Sequence, residues 1–308
     1  MKATPKDYLQ LHFIVFIWGF TAVLGALVTI PSVELVFYRT LFAFLSLWLI
    51  LYLKKTGFSI GRGDFLKILG VGVIIALHWI TFFAAIKIAT VSVCLAGLAT
   101  TSFWTSFLEP LIRRTKLKWY EVALGVVVIG GLYIIFKFEF NHKMGLFLGI
   151  CAGFFGALFS VINGRFVDKH DPYVITFYEM LGAFLGTVVM LPLYYYFLGE
   201  GLSSVQLIPT GMDVIYIGLL ALVCTVYPFA AAIELMKRLS VFTINLTVNL
   251  EPIYGIILAV IIFGAKETMS SQFYIGTAII LASVIIHPVL DHYYKRRKER
   301  LERQIPVN

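Results

Sequence analysis

Residues Val241–Phe263 read VFTINLTVNLEPIYGIILAVIIF. A helix needs about 20 mainly apolar residues to cross the hydrocarbon core of a bilayer, and this stretch is long enough to do so. Its one charged side chain, Glu251, lies about ten residues into the run, which at about 1.5 Å per residue is the middle of the membrane. A charge at that depth usually faces a cavity or a partner. The stretch therefore predicts a spanning helix with a functional group at its centre.

The rest of the chain is similarly apolar. Of its 308 residues, 60% are hydrophobic and 14% are charged, whereas a soluble domain has about 45–50% apolar and about 25% charged residues. This composition excludes a soluble enzyme, a secreted disulfide scaffold and a disordered protein. The net charge of +8 comes from basic residues that flank apolar runs. Such residues indicate membrane orientation, so no nucleic-acid partner is expected.

Ten apolar segments separate along the chain, and each could cross a core about 30 Å thick. Because lipid offers no partners for backbone polar groups, we expect α-helices. The sequence therefore predicts an all-α integral membrane protein with ten transmembrane helices. Spans one to ten are Tyr8–Thr29, Val33–Leu53, Phe65–Ile86, Val91–Ile112, Trp119–Phe136, Met144–Phe166, Pro172–Leu198, Asp213–Leu235, Val241–Phe263 and Ser271–Leu290.

Lysine and arginine are distributed unequally across this layout. Of the 25 basic residues, twenty fall on the side of the termini, four fall on the other side, and Arg39 lies within a span. The positive-inside rule then places both termini in the cytoplasm, Gly61 on the same side, and Asn141 and Thr210 outside. We expect a multi-pass protein of the cell (inner) membrane. Its loops are short, so any activity lies among the helices.

The two halves of the chain resemble each other. Ala84–Lys87 at the end of span three is similar to Ala231–Glu234 at the end of span eight, and Phe37–Arg39 is similar to Phe177–Glu179. Each half has five spans, an odd number, so the second half is inserted upside down. Inverted repeats are typical of transporters, whose substrate site lies where the repeats meet. The predicted domains are two inverted five-helix repeats, residues 1–140 and 141–292, and a basic cytoplasmic tail, residues 293–308.

Three short motifs resemble one known family. Trp18–Phe20 in span one, Phe37–Ala43 in span two and Asn249–Gly255 in span nine are similar to the EamA-type branch of the drug/metabolite transporter superfamily. The resemblance extends over both repeats. It implies transport of small metabolites, frequently export of amino acids, through a central cavity lined by spans one, three, four, six, eight and nine. One departure is that Thr100–Phe103 aligns with Asn249–Pro252, so the first repeat has no carboxylate at that depth.

Polar residues near the membrane centre are the candidates for substrate binding. Asn245 and Asn249 are four residues apart and share a helix face with each other. Pro252 removes a hydrogen bond and frees a carbonyl near Val248. Glu251 either couples proton movement to transport, contacts a substrate ammonium, or clamps two helices together. These alternatives stay open at the level of the sequence.

Further candidates come from spans one, three, four and eight. The hydroxyl of Thr101 either binds a substrate carboxylate or bonds back to its own helix. The aromatic residues and the histidine either line a binding site or pack in the core. The predicted substrate-binding residues are Trp18, His78, Trp79, Thr101, Trp104, Tyr227, Asn245, Asn249 and Glu251. No catalytic residue, metal site or cofactor is predicted.

Three other features have structural interpretations. Arg39 and Glu179 occupy matching positions in the two halves, but their depths differ, so no salt bridge is assumed. Arg39 either binds carbonyl groups, attracts an anionic substrate or anchors its helix, and we predict the anchoring role. Glu109 is four residues before Arg113 and pairs with it. The glycines Gly145, Gly149 and Gly153 form two GxxxG steps that predict close helix packing.

Other classes of function fit less well. An enzyme is disfavoured because the GxGD pattern at Gly61–Asp64 lies in a basic loop, and no HExxH, GxSxG or P-loop motif occurs. A channel or receptor is disfavoured because the polar residues cluster at mid-depth instead of forming a continuous polar path. A sugar-phosphate carrier needs several basic residues in its cavity. We therefore predict a secondary transporter, monomer or homodimer, that exports an amino acid or related zwitterion by alternating access, with proton coupling as one option.

Overall fold

The fold comes from a computed structural model that describes residues 3–138, 140–198, 208–209, 211–267 and 269–303. These ranges are nearly all helical and contain no strand. We number the helices by span: α1 (Pro5–Leu27), α2 (Ser32–Leu53), α3 (Arg62–Ile88), α4 (Val91–Leu98 and Thr101–Arg113), α5 (Trp119–Phe138), α6 (Lys143–Asn163), α7 (Pro172–Leu198), α8 (Met212–Leu235), α9 (Val241–Val248 and Glu251–Phe263) and α10 (Ser271–Arg303).

Every predicted span coincides with one of these helices, and the predicted fold class is confirmed. In the described part of the chain, nine helices are long and apolar enough to cross a membrane. The remaining helix is α5, whose apolar stretch Trp119–Gly131 is shorter. A 3₁₀ turn at Phe140–His142 joins α5 to α6, at the predicted boundary between the repeats.

Several predicted ends differ from the structure by two or three residues, including the starts of spans one and three, and the end of span ten differs by more. The apolar run predicts that span six reaches Phe166, but α6 ends at Asn163, because the N–H of Phe166 bonds three residues back to the Asn163 carbonyl and tightens the chain into turns. Helix α10 continues to Arg303 instead of ending at Leu290. The basic segment after Leu290 is rich in Lys, Arg and Glu, which are good helix formers. Thr210 lies outside the described residues.

The helices of the two halves interlock around a central region. Helix α2 packs against α7, α4 against α9, and α5 against α10, so three helices contact their own counterparts in the other half. In addition, α3 packs against α6 and α7, and α1 packs against α8 and α9. Contacts of this kind are expected in an inverted repeat, because equivalent helices of the two halves meet at the pseudo-two-fold axis that relates the halves.

Helices α4 and α9 are both interrupted, at the same place. Each consists of eight residues, a two-residue break and thirteen more residues. Both breaks contain 3₁₀-type bonds, from the Thr100 N–H to the Gly97 carbonyl at 3.1 Å and from the Leu250 N–H to the Thr247 carbonyl at 2.9 Å. This match aligns Glu251 with Thr101, so the alignment predicted from the sequence is wrong by one residue.

Small residues bring α6 close to α4, as the GxxxG steps predict. A Cβ atom on Gly149 would lie 2.8 Å from the Cys94 carbonyl oxygen, and one on Gly153 would lie 2.6 Å from the Thr100 hydroxyl. Real Cβ atoms do not approach other atoms so closely. The predicted close packing is therefore confirmed, and it holds α6 against the broken region of α4.

Polar bridges join the halves at both ends of the bundle. Asp213, in the first turn of α8, accepts hydrogen bonds from the backbone N–H and the hydroxyl of Thr29, at 2.8 and 2.6 Å. Asp64, in the first turn of α3, lies 3.0 Å from Nε2 of His170. Each aspartate thus binds the loop after the first helix of the other half. Because α3 and α8 run in opposite directions, the two bridges lie at opposite ends.

Candidate functional site

A cavity lies between the two halves, with about 770 Å³ of space free of protein atoms, counting the solvent at its mouth. Its walls come from the six predicted helices α1, α3, α4, α6, α8 and α9, and from α2, which contributes Arg39. The lining residues are Trp18, Thr21, Arg39, His78, Trp79, Phe82, Leu98, Thr101, Gly156, Phe159, Ser160, Asn163, Phe229, Ala232, Ile233, Met236, Ile244, Asn245, Val248 and Glu251. A pocket that is mainly apolar with a few polar groups is typical of a small-molecule site.

Glu251 begins the second half of α9 and faces this cavity. Its side chain is only 5% exposed, and among the described residues no group donates a hydrogen bond to it. Pro252 comes directly after it and has no N–H, so the carbonyl of Val248 lacks its usual intrahelical donor. A carboxyl group and a carbonyl without its usual helical donor therefore both belong to the broken region of α9. Both can accept hydrogen bonds from a cation or a proton donor.

Asn245 and Asn249 join α9 to its neighbours. The amide of Asn245 donates to the Thr105 hydroxyl at 2.8 Å and accepts from the Ser160 hydroxyl at 2.9 Å. The amide of Asn249 donates to the Ser102 hydroxyl at 2.8 Å. Asn245 lines the cavity, but Asn249 does not. Asn249 is the C-cap of the first half of α9, and its amide bonds to α4 beyond the cavity wall.

The hydroxyls of α4 bond mainly to their own helix. Thr101 Oγ1 donates to the Leu98 carbonyl at 2.6 Å, and Thr100 Oγ1 donates to the Gly97 carbonyl at 2.8 Å. Thr101 nevertheless lines the cavity. Its oxygen keeps a free lone pair, so Thr101 can accept a hydrogen bond from a ligand but has already used its donor.

Aromatic rings form much of the cavity wall. The ring of Phe229 lies 5.8 Å from Trp18, 5.3 Å from Trp79 and 6.0 Å from Phe159, measured between centroids. The indole N–H of Trp18 donates to the carbonyl of Cys224 at 3.2 Å. These contacts fix the rings of Trp18 and Trp79 and present apolar faces to a ligand.

His78 also faces the cavity, between Phe82 and Phe159. Its Nδ1 lies 2.8 Å from the Ala152 carbonyl oxygen. Because a carbonyl only accepts hydrogen bonds, the proton is assigned to Nδ1, and Nε2 of the neutral ring is an acceptor. His78 thus connects α3 to α6 and keeps one nitrogen for a ligand or water.

Three other predicted site residues lie outside the cavity wall. Tyr227 is 38% exposed, and its hydroxyl accepts a hydrogen bond from Gln10 at 3.2 Å. Trp104 packs edge-on against Phe154, with centroids 5.3 Å apart. The third is Asn249, at the break of α9. The structure therefore brings together Trp18, His78, Trp79, Thr101, Asn245 and Glu251, and it leaves apart from them Trp104, Tyr227 and Asn249.

Arg39 is absent from the predicted site residues, although a charge within a span is a visible signal. Arg39 is fully buried, its Nε donates to the Thr225 hydroxyl at 3.0 Å, and its guanidinium lies 3.9 Å from the centre of the Trp79 ring. Thr225 belongs to a π-helical segment of α8, Leu222–Val226, and no pattern in the sequence predicts this segment. The structure forms no ion pair between Arg39 and Glu179 within its described part.

Comparisons with known proteins agree with this architecture. The model of the EamA-like transporter family matches residues 8–137 and 143–287. A protein of Archaeoglobus fulgidus described as an uncharacterised transporter is 30% identical over 230 residues, 74% of this chain and 78% of the relative. The pseudopaline exporter CntI of Pseudomonas aeruginosa is 29% identical over 173 residues, 54% of this chain and 58% of that protein.

A solved crystal structure shares the fold at 14% sequence identity, with a TM-score of 0.68 over 94% of this chain and 99% of the other. The two matched segments correspond to the two five-helix halves, and together they extend over most of the chain. The chain is a multi-pass membrane transporter, and it belongs to the EamA-like transporter family.

Proposed function

We propose that the protein exports a small metabolite, an amino acid or related zwitterion, through the central cavity by alternating access. One observation carries this proposal. A cavity between inverted repeats contains a carboxyl group, Glu251, at the break of a spanning helix. Broken helices at the repeat interface form the substrate sites of many secondary transporters.

The lining supports a small zwitterion with an apolar side chain. Trp18, Trp79, Phe159 and Phe229 offer aromatic surface, while the charged side chains on the wall are one carboxyl group and one guanidinium. A strongly anionic substrate such as a sugar phosphate would need several basic groups, and the wall has Arg39 alone among its described residues. In this proposal Glu251 either binds the substrate ammonium or carries a coupled proton.

Export from the cytoplasm across the cell (inner) membrane, with both termini inside, is supported by two observations. Lysine and arginine are concentrated on the side of the termini. One relative with 29% identity is named an exporter. The proposal includes a monomer or a homodimer, because the cavity is formed within one chain.

Transport assays with the purified protein in proteoliposomes test the function. Vesicles loaded with a labelled panel of amino acids should release at least one of them several times faster than protein-free vesicles, and a pH gradient should alter accumulation if protons are coupled. Heat-inactivated protein in matched vesicles is the control. If no amino acid or related zwitterion moves faster than in the control, the proposed substrate class is wrong.

Cysteine labelling tests the orientation. Asn141 and Gly61 are both exposed in loops at opposite ends of the bundle. In a background without Cys94, Cys151 and Cys224, Asn141→Cys should react with an impermeant maleimide in intact cells, and Gly61→Cys should react only after lysis. The reverse pattern, or reaction of both, would contradict the proposed orientation.

A further inference from the structure

Arg39 is a buried charge without a carboxylate partner. It is 0% exposed, and within the described residues no ion pair reaches its guanidinium. Its Nη1 has no hydrogen-bond partner in the part of the chain that the structure describes. Removing a guanidinium from water costs several kcal/mol unless an anion and hydrogen bonds compensate. The described part of the structure thus contains, on the wall of the cavity, a cation with no anion in contact with it.

The guanidinium is held in a fixed position. Thr225 accepts a hydrogen bond from its Nε at 3.0 Å, and the Trp79 ring lies under its plane at 3.9 Å. Neither contact carries a formal negative charge. Trp79 also lines the cavity, so the cation, which is buried in this conformation, is oriented by neutral groups beside the space where a ligand can bind. A planar donor fork fixed in this way is suited to bind a carboxylate.

Glu251 is the nearest charge of opposite sign on the same wall. The two side chains attract each other electrostatically, but they do not form an ion pair, and both face the cavity. A guanidinium and a carboxyl group that both line one cavity match a ligand that carries a carboxylate and an ammonium. His78 presents a neutral acceptor to this space and adds no competing positive charge.

We propose that Arg39 binds the carboxylate of the substrate, with the substrate ammonium directed toward Glu251. The substrate class is then a free α-amino acid with an apolar side chain packed on the aromatic wall. This assignment rests on the proposed transport function. It makes Arg39 a specificity residue that distinguishes an acid from its uncharged amide.

The test compares acids with their amides in proteoliposomes containing the full-length protein. The probes are labelled L-alanine, L-valine, L-leucine, L-methionine and L-phenylalanine, each with its carboxamide, at about pH 6 so that both members carry an ammonium. The wild-type protein should move at least one acid about 10- to 100-fold faster than its amide at low concentration, the effect of a hydrogen bond to a charged group.

Two variants at the same position separate binding from structure. Arg39→Met removes the charge, so the transport rate of the acid should fall by about 10- to 100-fold while the transport rate of the amide changes little. The ratio of the acid rate to the amide rate, the preference, should then approach one. Arg39→Lys keeps the charge without the planar fork and should retain part of the preference. A parallel fall for acid and amide, with the preference unchanged, would show a structural role only.

The outcomes distinguish this assignment from the transport function itself. If the wild-type protein moves none of the ten compounds, the proposed function is wrong for apolar amino acids, and the proposed role of Arg39 is wrong as well. If it moves acids and amides equally, transport stands and the assignment of Arg39 is overturned. Should Arg39→Met not fold, as judged by size-exclusion chromatography, the wild-type preference and the Arg39→Lys variant still decide the question.

Discussion

Helices α4 and α9 have the same geometry but different chemistry at their breaks. Both divide into eight and thirteen residues. The break of α9 leads into Glu251 and Pro252, while the equivalent residues of α4 are Thr101 and Ser102. Because α4 breaks without a proline, its break depends on packing against α6 rather than on a missing N–H. The two halves therefore share a framework, and only one of them contributes a carboxyl group.

The contacts between α4 and α9 are complementary rather than symmetric. Asn245 and Asn249 of α9 donate to Thr105 and Ser102 of α4. The residues of α4 that are equivalent to these asparagines are Leu95 and Ala99, which have no polar side chain. The hydrogen bonds therefore run in one direction only, from α9 to α4. The duplication thus gave the geometry, and later divergence between the halves supplied the polar pairs that fix one broken helix against the other.

The largest effect is expected from placing an α9 residue into α4. Gly97 of α4 is equivalent to Thr247 of α9, but a Cβ atom on Gly97 would lie 2.8 Å from the backbone of Gly149 and Ile150. Gly97→Thr should therefore prevent folding or lower stability by about 3 kcal/mol or more. Thermal unfolding in detergent measures this. Gly218→Thr is the control, since nothing lies within 4 Å of that position. Equal stability of the two variants would mean that close packing does not set the break in α4.

The second prediction concerns the carboxyl group that α9 has and α4 lacks. Glu251→Gln keeps the shape and the hydrogen-bonding capacity but cannot carry a proton or a negative charge. If Glu251 couples protons, pH-driven accumulation in proteoliposomes should disappear while substrate exchange continues. If Glu251 binds the substrate ammonium, exchange should also fall, by about tenfold or more.

Thr101→Val, at the equivalent position of α4, should reduce transport much less than Glu251→Gln. Its hydroxyl proton is already donated to the Leu98 carbonyl. Normal, pH-dependent transport by the Gln variant would assign Glu251 a structural role and remove the main functional difference between the two breaks.

The third prediction separates the two asparagines. Asn245→Leu and Asn249→Leu each remove a polar pair with α4 and should cost about 1–3 kcal/mol, because buried hydroxyls lose their partner. Asn245 lines the cavity and Asn249 does not. Asn245→Leu should therefore also lower transport by well-folded protein, whereas Asn249→Leu should lower the unfolding temperature with smaller changes in transport kinetics. Equal kinetics in both variants would place the substrate away from Asn245.

The smallest effects are expected at the helix starts. The Thr90 hydroxyl accepts the Val93 N–H at 3.2 Å, and the Ser240 hydroxyl accepts the Thr243 N–H at 3.1 Å. Thr90→Ala and Ser240→Ala should each cost about 1 kcal/mol and leave substrate preference unchanged. The unfolding temperatures of the two variants should agree with each other. A much larger loss at Thr90 would indicate that α4 depends on its cap more than α9 does.

Much of the fold could be predicted from the sequence, because apolar runs of sufficient length have one stable form in a membrane. The position of Glu251 followed from its depth, and the packing of the α6 glycines followed from their spacing. Which side of each helix faces the cavity was harder to predict. Asn249 bonds to Ser102 of α4 rather than to the cavity, and Tyr227 belongs to α8, which is apolar on every side over most of its length. Nothing in the sequence indicates which of those sides meets the cavity.

Arg39 illustrates a different limit. Its presence within a span is evident from the sequence, but its role depends on Thr225, which belongs to a distant part of the chain. The segment Leu222–Val226 consists of ordinary residues, and its π-helical form has no sequence signature. Contacts of this kind result from the packing of the two repeats and require the three-dimensional structure.

The π segment of α8 has a consequence for the ancestry of the two halves. A π turn holds about one more residue than an α-helical turn, so the residues of this segment point in directions that an uninterrupted α-helix would not give them. Helix α3, its counterpart, has no such insertion. A hypothetical ancestor built from two copies of the first half would therefore lack the carbonyl that binds Trp18 and the hydroxyl that binds Arg39. The halves are no longer interchangeable, and a chimera that doubled either one would lose this part of the cavity.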